Sequence, residues 1–517
     1  MLFVLSDLPE DEGIRPVKLV QRWMAEGFVS PLVRTRVGEP VEETILDVGM
    51  GYLDELYHRS MILAGRLTRF SGRVKFYRLH DLMRDLCLSK AREENFIKVV
   101  LMGEDSTIAS SSLPSSSTIR RLGVYCVGGS KRKGDVKPIR IDEKWNLQHV
   151  RSCQFYFFGN ILKNSDWRHV KSIFKGFKLL TFMDLEKTKF IGKNKMLPKA
   201  IGNLIHLRYL SIRDSEICGL PSSIGNLRLL ETLDLRVYQL VIPNVLWKLV
   251  QLRHLYLPND IEGRYGPFKV ELQLDGLCKL ETLKGFNTVD CDVSSISKLM
   301  NLRKLDISVY TQKNLDVVLE SLNFSGANSL LRYSSFIIRG YREKPEEVNV
   351  LMRQFLGYHH LHKLEIKTSL TELPDTIPLN LTHLELRTLI TGLKEDPMPK
   401  LEKFPKLRKL VLSGGEWKEL VCSAGGFPQL IHLEVIWCEK WEEWRVEEGA
   451  MPNLLRLYIY GCFSLKEIPD GLRFVKTLRE LNVSAPSKEL YDRLQKGGED
   501  FEKIQHVQSI RFRFHSS

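Results

Sequence analysis

The sequence predicts a mixed α/β protein in which a small amino-terminal winged-helix domain precedes a long, irregular solenoid of repeated β-strands. Residues 206–235 place leucine or isoleucine at the spacing L-x-x-L-x-L and begin the same pattern again 23 residues later. Comparable triplets recur through most of the chain, whereas residues 1–101 lack them and carry helical patterns followed by two short strand patterns. A period of about 20–29 residues with this spacing is typical of leucine-rich repeats, so the sequence predicts a horseshoe-type solenoid.

The repeated triplets explain why a chain of 517 residues does not need one large globular core. Side chains alternate across a strand, so the leucines of each triplet point one way and the residues between them point the other. Stacked copies bury the leucines in a continuous core and leave a row of outward positions on one face. Further triplets are Val150-Cys153-Phe155, Leu180-Met183-Leu185, Leu252-Leu255-Leu257, Leu302-Leu305-Ile307, Leu361-Leu364-Ile366, Leu381-Leu384-Leu386, Leu407-Leu410-Leu412, Leu430-Leu433-Val435, Leu454-Leu457-Ile459 and Leu478-Leu481-Val483.

The amino-terminal region has the pattern of a winged-helix domain. A first helix begins at Pro16, where proline is favoured, and ends at Gly27, a residue typical of helix ends. A second helix is predicted over residues 41–57, two strands over 61–64 and 74–79, and a last helix from His80-Asp81 onward. We therefore predict a winged-helix domain at 1–101, a Ser-rich linker at 102–118, leucine-rich repeats at 119–487 and a carboxy-terminal cap at 488–517.

Charge and cysteine content limit the classes of function. The net charge of +13 could suit an anionic partner, but the basic residues are scattered, and the densest cluster, Lys131-Arg132-Lys133, is interpreted as a solvated loop. The predicted wing carries Arg66, Arg69, Arg73 and Lys75, whereas the following helix mixes acidic with basic residues, so nucleic acid is not the expected partner. Nine cysteines without a C-x-x-C pair favour a reducing compartment, and no stretch resembles a signal peptide or transmembrane segment.

Ordered motifs in the first hundred residues resemble those of a known family. Pro9-Glu10-Asp11, Leu19 and Trp23-Met24-Ala25-Glu26-Gly27-Phe28-Val29 are similar to the closing part of the NB-ARC nucleotide-binding switch of plant disease-resistance proteins. Tyr52 to Leu56 and Arg59 to Ile62 fit the same pattern, and Leu79-His80-Asp81 resembles the Met-His-Asp motif, with leucine in place of methionine. Together with the repeats, the chain resembles the coiled-coil class of NB-LRR receptors.

The resemblance implies a nucleotide switch whose phosphate-binding loop is not found in this sequence. That loop needs G-x-x-x-x-G-K-[S/T], and the nearest string, Gly129 to Val136, has Asp135 where the lysine must stand. We therefore expect a truncated receptor that is not an enzyme and holds no cofactor of its own, although ADP or ATP is expected for the full-length family. A nucleotide-hydrolysing enzyme is the rival interpretation.

His80 and Asp81 are the candidate cofactor-binding residues. A helix amino terminus suits a phosphate because its N–H groups are unpaired and carry partial positive charge. The resemblance implies that His80 contacts the β-phosphate of ADP and that Asp81 orients the motif, within an intact NB-ARC core only. The alternative is that Asp81 is simply an N-cap and His80 a surface residue.

The outward positions of the repeats are the candidate protein-binding surface: Arg208, Arg253, Arg303, Lys304, Trp437, Tyr458 and Tyr460. Early outward positions are mostly basic, which suits docking on an acidic neighbouring domain, and later positions are richer in aromatic residues, which are common at binding hot spots. The resemblance implies that the repeats recognise a pathogen effector or a guarded host protein and contact the NB-ARC and coiled-coil domains. The implied location is the cytoplasm, with peripheral attachment to the plasma membrane as the variant.

Two further alternatives remain open. An interaction adaptor without nucleotide switching would share the repeats, although the motifs between Pro9 and Val29 favour the receptor. The run His359-His360-Leu361-His362 could suggest a metal, but no carboxylate or cysteine has ligand spacing beside it, so we predict no metal site.

Overall fold

The computed structural model describes residues 1–2, 13–29, 44–65, 74–94, 96–102, 119–127, 147–158, 174, 176–188, 195–258, 271–324, 331, 333–339, 361–367, 370–373, 380–388, 392–484 and 487–513. The chain divides into two compact units. The first is formed mainly by Met1–Gly285 and Val289–Leu302, and the second mainly by Arg303–Asn323 and Asn328–Ser517. The sequence-predicted runs at Pro9, Arg66–Arg73, Gly129–Val136 and His359-His360 lie outside the described residues.

The first unit opens with the predicted winged helix. Its elements are α1 (Pro16–Ala25), α2 (Ile45–His58), β1 (Ile62–Ala64), β2 (Tyr77–Leu79) and α3 (Asp81–Glu93). Pro16 stands in the first turn of α1, and Gly27 follows its end with φ +80°, a conformation that glycine adopts without strain. Strands β1 and β2 pair antiparallel, as a wing hairpin requires. The helices and strands that the sequence predicts are confirmed, with α2 starting at a Thr44–Asp47 capping box.

The winged helix has its own apolar core. One side of α1 is apolar and buried: Leu19, Val20 and Trp23 have no accessible surface. They pack with Leu53 of α2 and Ile62 of β1 in one cluster. A side chain the size of Trp23 contributes several kcal/mol when it is fully buried, so this core fixes α1 against the rest of the domain.

A parallel sheet follows the winged helix in the first unit. Neighbouring strands pair in sequence order, and the central leucine of each triplet is fully buried, as for Leu210 and Leu233. The sheet starts earlier than the boundary predicted at residue 119, because the first strand falls within the range assigned to the winged helix. The strands are β3 (Ile97–Met102), β4 (Arg121–Val127), β5 (Ser152–Phe158), β6 (Phe182–Asp184), β7 (Tyr209–Ser211), β8 (Thr232–Asp234), β9 (His254–Tyr256) and β10 (Thr282–Asn287).

The second unit is built in the same way. Its parallel strands are β11 (Lys304–Val309), β12 (Tyr333–Arg339), β13 (Leu361–Lys367), β14 (His383–Arg387), β15 (Lys409–Ser413), β17 (His432–Ile436), β19 (Arg456–Tyr460), β20 (Glu480–Ser484) and β21 (Ser509–Arg513). A two-stranded parallel sheet, β16 (Glu419–Cys422) and β18 (Glu443–Val446), lies outside this ladder. Helices α4 (Gln312–Phe324), α5 (Met398–Leu401), α6 (Lys488–Leu494) and α7 (Phe501–Ile504) complete the unit. The range predicted as a carboxy-terminal cap contains α6 and β21, and β21 extends the sheet in register with β20.

Candidate interaction sites

Helix α1 lies on the outward face of the early repeats through a buried ionic contact. Lys18 Nζ is 2.5 Å from Asp184 Oδ2 at the end of β6 and also contacts the carboxylate of Glu186. The side chain of Lys18 is 17% exposed and that of Asp184 only 1%. Arg15 adds a second contact to Glu186, with Nη2 3.4 Å from Oε1. We call these four residues the helix-docking site.

A second cation of α1 is buried against the sheet beside the helix-docking site. Arg22 has no accessible surface, and its guanidinium donates to Gln154 Oε1 at 2.7 Å and to Ser152 Oγ at 3.3 Å, both on β5. It also donates to Glu26 Oε1 at 3.1 Å within its own domain. The guanidinium carbon stands 4.8 Å from the centre of the Phe182 ring, a cation–π distance. Arg22 therefore joins the winged helix to two neighbouring strands of the repeats.

Apolar and neutral contacts close the same interface. Ala25 of α1 packs with Phe182 and Tyr209 in a cluster of buried residues. Gln21 Nε2 donates to the Tyr256 hydroxyl at 3.0 Å. Tyr209 and Tyr256 lie between the leucines of their triplets, at outward positions of the sheet, and are buried because the winged helix covers them. Burial raises the pKa of Tyr256 to about 12, so it stays a neutral hydroxyl.

The charges of the helix-docking site are strongly coupled. Burial alone would lower the pKa of Lys18, but the two adjacent carboxylates outweigh it and raise that pKa above its usual value. Burial also opposes the charge of Glu186, yet Lys18, Arg15 and Arg213 together hold its pKa below the usual range. Burial raises the pKa of Asp184 in spite of the neighbouring ammonium. The contact between Lys18 and its two carboxylates should therefore be destabilised by the loss of either partner, because the remaining charge would be buried without a counter-charge.

The predicted basic positions on the early repeats make lateral contacts. Arg208 Nη1 lies 3.0 Å from Glu231 Oε1 on the next coil, and Arg253 Nη1 lies 2.5 Å from Glu281 Oε1. Arg303 and Lys304 are half-buried where β11 begins, in the second unit. The docking contact in the structure has the opposite polarity to our prediction, because the repeats supply the carboxylates and the winged helix supplies the cations. His254, which follows Arg253 at another outward position, is buried.

Sequence reasoning missed the helix-docking site, although one signal was present. Arg15, Lys18 and Arg22 are spaced i, i+3 and i+7, which places them on one face of a helix. The acceptor carboxylates Asp184 and Glu186 gave no comparable signal, because acidic residues at single strand ends are ordinary in any repeat.

His80 and Asp81 lie at the start of α3, as the sequence predicts. The carbonyl of His80 accepts the Arg84 N–H at 2.9 Å, so His80 is the N-cap and Asp81 the first residue of the helix, not the cap we had considered. Both side chains are exposed. Leu82 and Leu86 follow one turn apart and are also exposed. This end of α3 therefore exposes His80 and Asp81 at the helix amino terminus and Leu82 and Leu86 along one side of the helix.

An exposed aromatic edge lies at the carboxyl ends of β17 and β19. Trp437, Tyr460 and Phe463 are 46%, 37% and 47% exposed. The Trp437 ring meets Tyr460 edge to face at 4.9 Å between centroids, and Phe463 at 6.1 Å. Trp441 and Trp444, which lie close by in sequence, are buried instead. We call Trp437, Tyr460 and Phe463 the aromatic edge; a rigid aromatic group of this kind is typical of binding hot spots.

Charged side chains occupy outward positions of β13, β14 and β15 in the second unit. We call Glu385 and its neighbours Lys363, Arg387 and Lys409 the charged ladder. Glu385 is flanked by Lys409 Nζ at 2.6 Å and by Arg387 Nη2 at 3.2 Å. Burial opposes its charge, but these cations lower its pKa to about 2. Burial together with Lys409 and Lys363 lowers the pKa of His383 to about 4. Tyr458, a predicted contact residue, meets His432 edge to face at 4.9 Å.

Acidification is expected to destabilise the second unit through His383. The folded pKa of about 4 lies below the usual 6.5, so the unfolded chain takes up the proton first and stability falls as pH drops from 6.5 to 4.5. The pKa difference corresponds to about 2 kcal/mol across this window without screening, so after allowance for partial exposure we expect His383 to contribute a loss of about 1 kcal/mol. Burial raises the pKa of Asp396, in the same unit, to about 6, which has the opposite effect over this window. The test is therefore a comparison: urea unfolding at both pH values should show a smaller loss of stability on acidification in His383→Gln than in the wild-type chain. An unchanged pH dependence in His383→Gln would contradict the assignment.

Metal and membrane sites are not indicated by the described part of the chain. Within those residues, no group of three or more His, Cys, Asp and Glu side chains is placed to hold a metal ion. His362 instead stacks on Tyr333 with ring centres 5.3 Å apart. No helix within the described ranges combines the length and the apolar character that a bilayer span requires.

Comparison with known proteins identifies the two parts separately. A leucine-rich repeat region model matches residues 149–504, and a disease resistance protein winged helix domain model matches residues 8–87. The disease resistance protein RPP8 of Arabidopsis thaliana is 34% identical over 98% of this chain, and the probable disease resistance RPP8-like protein 4 of the same plant is 35% identical over 98%. The chain spans about half, 52%, of the length of these curated relatives. A leucine-rich-repeat protein of Leptospira interrogans has 17% identity and a TM-score of 0.45, covering 72% of this chain and 87% of its own.

The fold and the matched regions define a leucine-rich-repeat protein with an amino-terminal winged helix. This chain belongs to the family of disease resistance proteins that carry these two parts.

Proposed function

We propose that this chain is the sensing and restraining part of an intracellular plant innate immune receptor. The observation that carries the proposal is the helix-docking site, in which early repeats hold the winged helix through buried charges. A ligand on the repeats can act only if it changes the balance between docked and released winged helix. A buried ion pair is lost completely when one partner moves away, so the helix-docking site can separate a docked state of the winged helix from a released state.

The recognition surface in this proposal is the later half of the repeats, roughly Leu361 to Val483. The aromatic edge and Tyr458 supply apolar area, and the charged ladder around Glu385 supplies complementarity and orientation. The partner would be a pathogen effector or a guarded host protein. Arg208 and Arg253 would stabilise the early repeats rather than bind the partner, because each forms an ion pair with a glutamate of the next coil.

The nucleotide part of the proposal rests on the resemblance. In a receptor that includes the NB-ARC core, His80 would donate to the β-phosphate of ADP, and the helix N–H groups that start at Asp81 would support it. The chain of 517 residues itself is proposed to hold no cofactor and to catalyse no reaction. Its proposed neighbours are the NB-ARC and coiled-coil domains, and its proposed location is the cytoplasm or the inner face of the plasma membrane.

The alternative function is a repeat adaptor that binds proteins without any switching. The buried contacts of Arg22 favour this alternative in one respect, because they would also suit a permanently fixed domain pair. The two functions differ in one property: a switch must lose its resting state when the docking contact is broken, and an adaptor has no resting state to lose.

Charge reversal at the helix-docking site tests the proposal. The experiment places this chain in RPP8 in exchange for its matching half and measures cell death in leaves without any elicitor. Asp184→Lys with Glu186→Lys is expected to activate the chimera, because Lys18 and Arg15 would then face like charges. When Arg15→Glu and Lys18→Glu are added to that variant, the opposite charges face each other again, and cell death without elicitor is expected to be suppressed.

The matched control is Glu216→Lys, which breaks a partly exposed pair with Lys195 in the same repeats. It should leave the chimera quiet, and protein levels should be equal in all lines. A reversed docking site that accumulates normally and stays quiet would reject the restraint.

A further inference from the structure

We propose that Cys438 and Cys462 form an oxidisable dithiol pair, which a peroxide converts into a disulfide that links two neighbouring coils beneath the aromatic edge. The proposal does not depend on which partner the repeats bind. Both cysteines are buried, with 0% and 1% of their surface exposed. They are two of the eight cysteines whose side chains the structure describes, and all eight are free thiols.

The register of the sheet places the two residues opposite each other. Ile436 pairs with Tyr460 at the end of β17 and β19, and the Trp437 N–H donates to the Tyr460 carbonyl at 2.8 Å, which continues the ladder by one step. Cys438 and Cys462 each come two residues after that pair. Adjacent strands lie about 4.8 Å apart, within the range of Cα separations of about 4.4–6.8 Å found in disulfides.

The two thiols occupy equivalent positions on neighbouring coils. Cys438 Sγ lies 3.4 Å from the carbonyl oxygen of Ile436, and Cys462 Sγ lies 3.6 Å from that of Tyr460, the residue that pairs with Ile436. Cys462 Sγ also lies 3.8 Å from the carbonyl oxygen of Val435, on the neighbouring strand. A disulfide between the two cysteines would therefore join equivalent positions of adjacent coils, one strand spacing apart.

The surroundings give the two thiols different roles. The neighbouring Cys462 thiol lowers the pKa of Cys438 in spite of burial, and the backbone at Gly414 and Gly415 adds to this. The neighbouring Cys438 and burial raise the pKa of Cys462. In the proposed reaction Cys438, the more readily ionised of the two, is the attacking thiol, and Cys462 is the resolving thiol.

The reaction balances with hydrogen peroxide as oxidant. The Cys438 thiolate attacks one oxygen, an S–O bond forms, the O–O bond breaks, and the departing hydroxide takes up the proton first lost from Cys438 to leave as water. The Cys462 sulfur then attacks the sulfenic sulfur of Cys438, the S–S bond forms, and the S–O bond breaks. The leaving oxygen takes the Cys462 proton and departs as a second water molecule. Two thiols are oxidised and one peroxide is reduced.

The disulfide would tie together the turns that carry Trp437 and Gly461. Gly461 has φ +66°, and a β-carbon built on it would come within 2.4 Å of the Trp437 ring, so these turns are already closely packed. The cross-link would suppress local opening of the two coils, and with it the movement of the aromatic edge. Reduction by a dithiol would restore the free pair.

The test treats the folded chain with hydrogen peroxide, unfolds it in an alkylating reagent and maps the cysteines by mass spectrometry. Digestion with trypsin and with a glutamate-specific protease separates Cys438 from Cys422, because Glu434 lies between them. We expect the loss of two thiols together, a cross-linked Cys438–Cys462 peptide, and its disappearance after dithiothreitol. Backbone hydrogen exchange at residues 433–439 and 457–463 should become slower in the oxidised protein.

Two variants sharpen the result. Cys462→Ser should leave a sulfenic acid on Cys438 that dimedone traps, and Cys422→Ser, which removes a buried thiol beside Trp444, should leave the cross-link intact. The exposed Cys278 reports that the peroxide dose was sufficient. The proposal is overturned if Cys278 is oxidised in the wild-type chain while Cys438 and Cys462 are still recovered as alkylated free thiols.

Discussion

Replacing Lys18 by alanine is expected to lower the free energy that holds α1 on the repeats by about 3–5 kcal/mol. The reason is that the variant leaves Asp184, 1% exposed, and Glu186, 11% exposed, as buried carboxylates without their common cation. A loss of 3 kcal/mol corresponds to a more than hundredfold increase in the population of the released helix, by the relation of about 1.4 kcal/mol per factor of ten. Hydrogen–deuterium exchange of residues 16–26 measures that population directly.

The control for this prediction is Lys195→Ala. Lys195 and Glu216 form an ion pair of 2.7 Å in the same repeats, but both side chains are about one-third exposed. Exposed pairs contribute about 0–1 kcal/mol, so this variant should exchange like the wild-type chain. Equal and small effects in both variants would mean that Lys18 is solvated and that the docking site is not a stabilising contact.

Replacing Trp441 by alanine is expected to destabilise the second unit by about 3–5 kcal/mol, while replacing Trp437 by alanine should change its stability by less than about 1 kcal/mol. Trp441 is fully buried, donates its indole N–H to the Glu443 carbonyl at 2.9 Å and packs on Trp444 at 5.6 Å. Trp437 is 46% exposed, so most of what it loses is surface contact with Tyr460 and Phe463. Urea unfolding of the two variants compares a core tryptophan with a surface one.

The same pair of variants separates packing from recognition. If the aromatic edge is the centre of the recognition surface, Trp437→Ala should weaken partner binding by about 2 kcal/mol or more, roughly thirtyfold, at unchanged stability. Tyr238, exposed in the first unit, provides a matched aromatic substitution away from this surface. A Trp437→Ala variant that unfolds as easily as Trp441→Ala would show that the edge is part of the core and would remove its proposed role.

Periodicity made the repeats predictable, and local signals did the same for the winged helix. Leu207, Leu210 and Ile212 identify a strand because three apolar residues at that spacing can be buried together only on one side of a sheet. Pro16 and Gly27 mark the ends of α1 because each residue is suited to one end of a helix. These features depend on a few neighbouring residues, which one sequence displays.

The docking contact was not predictable, because it joins residues far apart in the chain. Lys18 and Asp184 lie far apart in the sequence, and the residues around each of them do not indicate that the other is its partner. Our expectation from Arg208 and Arg253 had the wrong polarity because the count of basic positions ignored the glutamates one coil away, which already pair with them. Trp437 is exposed whereas Trp441 and Trp444 are buried, and this difference depends on how the chain turns after β17. The spacing of the three tryptophans in the sequence does not predict that turn.

The central claim, that buried charge holds the winged helix on the early repeats, is tested most directly by a double-mutant cycle between Lys18 and Asp184. The four proteins are the wild-type chain, Lys18→Met, Asp184→Asn and the combination, and the measured quantity is the exchange free energy of residues 16–26 at low salt. We predict a coupling energy of about 2 kcal/mol or more, because the second substitution removes the charge that the first one leaves unpaired. Additive effects, with a coupling below about 0.5 kcal/mol, would contradict the account.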